Sequence, residues 1–180
     1  MALIKLNLAQ GVTGTLPTSN YVQGGITGYD EWIVTTNFTG DADPITSNWS
    51  RNPANTFEKI GTGMSQSSGI FTFPETGKWN IEFTAVNANN NGDDRNIGVI
   101  IQKTVNNSAY DEASISEGSI ARNSAATWYV SGFTTALVDV TSTSLVKVRF
   151  KIVKVDSATE TATNSNNIRT GVKFTRIGDT

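Results

Sequence analysis

Apolar side chains recur along this chain at period two, the spacing that puts alternate residues of an extended strand on one face. The cleanest run is 145–155: Val146, Val148, Phe150 and Ile152 fall on one face, and Leu145, Lys147, Arg149, Lys151 and Val153 on the other. Similar runs lie at 32–38, 56–60, 70–73, 79–86, 97–104, 113–120, 127–140 and 172–177. Turn-rich pieces separate them: TGDADP, NANNNGDD, TVNNSAYDE, ARNSA, DVTSTS and SATETATNSNN. No segment sustains a helical period. Eight to ten short strands with such punctuation predict an all-β, antiparallel sandwich or jelly roll.

GIFTFPETGKWNIEF, residues 69–83, concentrates large apolar residues around one turn. Phe71 and Phe73 precede it; Trp79, Ile81 and Phe83 follow it. The spacing predicts a core hairpin. Pro74 fixes φ and cannot donate to a ladder, so it suits a strand end. Gly77 permits a positive φ or a close backbone approach. Residues 1–25 stand apart from the rest. LIKLNL, with Leu3, Ile4, Leu6 and Leu8, reads as a short docking strand, and GVTGTLPTSNYVQGG as an extended connector. The chain divides into an N-terminal arm, 1–25, and a β domain, 26–180.

Composition narrows the chemistry. The 180 residues carry a net charge of −2, with no basic stripe, which argues against nucleic acid as a partner. There is no Cys and no His, so disulfides, most catalytic triads and the commonest metal ligand are excluded. MALIKLNLAQ lacks the apolar core and cleavage site of a signal peptide, and no run approaches a membrane span. No Gly-rich phosphate loop opens a helix, so nucleotide binding has no support.

The order Phe71, five residues, Gly77, then Trp79, Ile81 and Phe83 at alternate positions resembles the complement C1q-like head, a branch of the tumour-necrosis-factor-like jelly rolls. The approach IGTGMSQSSGIFTF and the closing VKFTRIGD are similar to that family as well. The sequence departs from it at Trp79, where Tyr is usual, and at Ile81, where Phe is usual. Met64 and Lys59 also stand where an aromatic and an Asn or Asp are expected. The resemblance implies a jelly roll of about ten strands, no catalysis and a homotrimer. Val146, Val148, Phe150 and Ile152 are the candidate trimer interface, because both faces of their strand carry apolar residues near its end; ordinary alternation reads the same way. MALIKLN followed by a Gly/Thr-rich arm is also similar in style to virion proteins of marine bacteriophages.

Candidate sites are few. Acidic residues cluster at Asp41 and Asp43, at Asp93 and Asp94, at Asp111 and Glu112, and at Asp156. Some complement-type heads bind calcium through loop carboxylates, which makes Asp93 and Asp94 the metal candidates, against the plain reading of a solvated turn. Nothing fixes two carboxylates at a hydrolytic separation. Trp32, Trp49, Trp128 and Tyr129 are candidates for a sugar-stacking platform, with core as the alternative. The expected protein is a non-enzymatic phage virion component without a cofactor, a homotrimeric head-decoration or cement protein. Its arm would dock on another virion protein by strand addition. The alternative is a tail-fibre or spike tip binding a host receptor or glycan. Its place would be the virion, assembled in the host cytoplasm.

Overall fold

A computed structural model describes residues 25–53, 57–122, 124 and 126–180; the arm residues Leu3, Ile4, Leu6 and Leu8 lie outside the described residues. Among the described residues twelve strands follow in chain order: β1 Gly28–Val34, β2 Phe38–Thr39, β3 Trp49–Arg51, β4 Ser65–Ser67, β5 Ile70–Thr72, β6 Gly77–Asn90, β7 Asp94–Thr104, β8 Asp111–Ile120, β9 Thr127–Val140, β10 Lys147–Lys154, β11 Glu160–Ala162 and β12 Gly171–Gly178. The described residues contain no helix.

The strands form two antiparallel sheets. The five-stranded sheet runs β4-β5-β10-β7-β8. In the seven-stranded sheet β6 is the spine. On one side it pairs with β9 along its whole length, from Gly77↔Val140 to Asn90↔Thr127. On the other side β12 takes its first half and β11 its second. β1 and β3 extend the sheet beyond β12, and β2 extends it beyond β11.

Residues 69–83 are not a hairpin. β5 bonds to β4 and β10, whereas β6 belongs to the other sheet, so 73–77 carry the chain across the sandwich. The aromatics on the two sides of the turn therefore meet face to face across two layers. Phe73 and Trp79 have ring centroids 5.5 Å apart, and Phe71 lies 5.1 Å from Trp49 and 5.3 Å from both Phe150 and Phe174. Phe71, Phe73, Trp79, Ile81 and Phe83 are all buried. Each such side chain contributes roughly 1.5–3 kcal/mol by leaving water. Gly77 makes the crossing possible. Its φ is +137°, and a Cβ there would stand 2.6 Å from Arg176 Nε and 2.7 Å from the Gly178 carbonyl oxygen.

The inner face of β10 corrects a second expectation. Val148, Phe150 and Ile152, with Val146 just before the strand, are buried within this chain and cannot meet a second copy. They face the seven-stranded sheet, and Lys147, Arg149 and Lys151 take the half-exposed outer face. The alternation is that of an ordinary two-sided strand.

β1 is tied down by a buried ion. Asp30 is fully buried and accepts hydrogen bonds from Arg51 Nε and Nη2 at 2.9 Å, Trp32 Nε1 at 3.0 Å, and the backbone N–H groups of Met64 and Glu31. Arg51 Nη2 also donates to the Met64 carbonyl, and its guanidinium lies 4.7 Å from the Trp32 ring. One carboxylate thus joins β1, β3 and the approach to β4.

The end of the sandwich around β11 is polar inside. Lys154 crosses from β10 to the opposite sheet, where its Nζ donates to the Thr159 carbonyl at 2.9 Å and to Thr161 Oγ1 at 2.8 Å. Burial pushes its amine down to about 8, against the pull of Asp94, Asp41 and Glu160. Below pH 8 the amine is charged whether folded or unfolded. Between about 8 and 10.5 the unfolded chain holds a proton that the folded chain releases, so stability rises with pH across that window. A depression of this size corresponds to roughly 3 kcal/mol. Urea midpoints measured from pH 7.5 to 10.5 should show this rise in the natural protein and lose it in Lys154→Met.

Candidate functional site on the seven-stranded sheet

β9 alternates sharply. Thr134, Ala136, Val138 and Val140 point inward and are buried. Tyr129, Ser131, Phe133, Thr135, Leu137 and Asp139 point outward. Three of these are large and apolar yet open to solvent: Tyr129 is 58% exposed, Phe133 57% and Leu137 59%. They stand opposite Ala88, Thr84 and Asn80 of β6, so their neighbours are small or polar. Thr135 Oγ1 donates to Asn80 Oδ1 at 3.0 Å, and Asn80 Nδ2 donates to Glu82 at 3.1 Å. A shallow hollow of about 300 Å³ lies beside Phe133, bounded by Glu82, Thr84, Ile168 and Lys173. An apolar stripe on a polar, hydrogen-bonded sheet face is the pattern of an association surface.

The alternation at 127–140 predicts this strand without singling out Phe133 and Leu137. The signal was parity: both share the set that holds Ser131, Thr135 and Asp139, where an outward strand face is otherwise polar.

The other candidates disperse. Asp94 is buried and its carboxylate accepts from the N–H groups of Asn96, Val155 and Asp156 at 3.1–3.3 Å, while Asp93 is exposed. Asp94 therefore serves as a loop clasp and does not form a two-carboxylate pair with Asp93. Asp41 accepts from the Lys154 N–H; Asp43 pairs with Arg149 and Lys151, and Lys151 also reaches Glu112. Asp156 accepts from the Ala158 N–H and from Asn89, which together hold its carboxyl below the usual range. No group of three or more carboxylates able to hold a metal ion occurs among the described residues.

The four aromatics proposed as a platform separate as well. Trp49 is in the core and donates to the Ile45 carbonyl; Trp32 is half-buried against Asp30. Trp128 and Tyr129 are exposed, but as consecutive strand residues they point to opposite faces.

No family model matches the sequence, and no curated protein matches it. Solved structures do match in shape. Murine APRIL at pH 5.0 aligns with a TM-score of 0.59 at 9% identity, over 83% of this chain and 98% of that one. The Eiger TNF of S. frugiperda aligns with a TM-score of 0.59 at 10% identity, over 84% of this chain and 93% of that one. The fold is a tumour-necrosis-factor-like jelly roll. At such identity the likeness is one of backbone architecture, and the chemistry of this jelly roll rests on its own residues. Those residues offer an apolar sheet face and structural carboxylates, with neither His nor Cys anywhere in the chain.

Proposed function

We propose that this chain is a non-enzymatic assembly protein whose jelly-roll head closes into a homotrimer through the outward face of the seven-stranded sheet. The carrying observation is the exposure of Phe133 and Leu137 on a face otherwise dressed with hydrogen-bonded polar groups. A closed ring of three copies covers that stripe on every copy at once, which open association does not. Leu137 and Phe133 are separated by four strand residues, roughly 13 Å, enough for one shared apolar contact line per interface.

The biological setting we infer is a bacteriophage virion, with the head as a decoration or cement element and residues 1–25 as its attachment. The style of the N-terminal sequence and the apolar alternation of LIKLNL support this reading. Particles assembled with protein lacking residues 2–20 should carry no head; decoration that persists would sink the arm assignment.

The trimer has its own test. Light scattering of the natural chain should give about three times 19.3 kDa. Phe133→Asp combined with Leu137→Asp should give a folded monomer with an unchanged far-UV spectrum, since both side chains are already in water in the single chain. A natural chain that scatters as a monomer overturns the reading.

A further inference from the structure

At the far end of β9 the outward face of the same sheet is concave. One row of cross-strand partners spans four strands: Tyr129 of β9 faces Ala88 of β6, Ala88 faces Glu160 of β11, and Glu160 faces Thr39 of β2. The Ala88 methyl makes a low floor between two taller walls. The next outward pair along, Asn90↔Thr127, closes one end. The resulting groove is about 290 Å³.

Each wall has a defined orientation. The Arg169 guanidinium lies 5.0 Å from the Tyr129 ring centroid and props the ring. Glu160 Oε1 accepts from Asn37 Nδ2 at 2.9 Å, which fixes the carboxylate and leaves Oε2 for another donor. Asn90 and Thr127 are exposed, and their side chains hold no hydrogen bond among the described residues. Tyr129 and Glu160 stand two inter-strand spacings apart, about 9.5 Å backbone to backbone. Ala88 itself is almost fully covered, so a sugar ring would sit between the tips of the walls and not on the floor.

We propose that this groove binds a neutral glycan. The aromatic face of Tyr129 would take the C–H face of a pyranose, and the Glu160 carboxylate, Asn90 and Thr127 would take its hydroxyls. The chemistry selects against alternatives. The Glu160 carboxylate and the Arg169 guanidinium leave the walls without net charge, so an acidic sugar gains nothing there over a neutral one. The walls are too polar for a lipid chain, and the aromatic wall gives a small inorganic ion no reason to stay. Trp128 points to the other side of its strand and takes no part.

The groove lies on the same sheet face as the proposed trimer contact, Phe133 and Leu137, but at the other end of β9. Tyr129 lies four strand residues beyond Phe133, roughly 13 Å away. The two sites can therefore fail independently.

The test is titration of the full chain with a panel of neutral hexose oligosaccharides beside their carboxylated and sulfated counterparts, followed by calorimetry and ligand-observed NMR. Neutral members should bind, and acidic ones no more tightly. Tyr129→Ala should weaken binding roughly tenfold or more, while Tyr129→Trp retains it. Glu160→Gln should lower affinity for neutral sugars relative to acidic ones. The Phe133→Asp, Leu137→Asp double variant should still bind sugar as a monomer. The proposal is overturned if no neutral oligosaccharide binds, if acidic ones bind better, or if Tyr129→Ala binds as well as the natural chain. It is equally overturned if Tyr129→Ala dissociates the oligomer, which would assign the ring to the interface between copies.

Discussion

Replacing Phe150 with alanine should lower the free energy of unfolding by about 3–5 kcal/mol, visible as a large fall in urea midpoint at constant slope. Phe150 is where the two sheets meet. Its ring centroid lies 4.7 Å from Phe83, 5.3 Å from Phe71, 5.6 Å from Trp49 and 6.1 Å from Phe174. Two of these rings are held away from the gap by a further ring: Phe71 by Trp32, and Phe174 by Phe73. The cavity would persist, and the cost belongs at the high end of its class. Phe150→Leu, which keeps most of the volume, should cost much less. A loss below about 1 kcal/mol for the alanine variant would mean that the sheets repack, contrary to the braced geometry.

Asp30→Ala should cost about 3 kcal/mol or somewhat more. The substitution leaves Arg51 without its fork partner and strips acceptors from Trp32 Nε1 and the Met64 N–H. Asp30 is fully buried, but the Arg51 side chain is 36% exposed, so water recovers part of the guanidinium's loss. Coupling is the sharper readout. Arg51→Ala introduced after Asp30→Ala should cost less than it does alone, because only the Met64 carbonyl bond and the Trp32 contact remain to be lost; additive losses would show that the two residues stabilise the fold separately.

Much of this architecture was legible in the sequence, and the failures have physical causes. Long strands announced themselves because an alternating face must be buried: the runs at 79–86, 97–104, 127–140 and 145–155 all became strands. β2, β3, β4 and β11 are two or three residues long, too short for any period to register. Period two on both sides of the Gly/Pro turn at 73–77 fits a hairpin and a sheet-to-sheet crossing equally well. Only the pairing partners distinguish them. The apolar face of Val148, Phe150 and Ile152 has the same alternation whether it meets its own chain or another. The surface residues were harder still. Phe133, Leu137 and Tyr129 stand out only once β9 has an inward set to contrast with them, and the groove depends on Ala88 and Glu160, which are remote in sequence.

The pairing of β1 with β12 also governs when the protein can fold. Gly28 sits beside Arg176, so the first strand of the head completes its pairing only when β12 has been made. On the ribosome the seven-stranded sheet must stay open until β12 has emerged. Folding is then dominated by distant pairings, on the slow side for a domain of this size. The same adjacency gives the finished head a single point of entry and exit: whatever precedes β1 and whatever follows β12 leave together, from one end of neighbouring strands. New termini placed in an exposed turn such as 141–145, with the start of β1 and the end of β12 joined by a short linker, should therefore preserve the sheet.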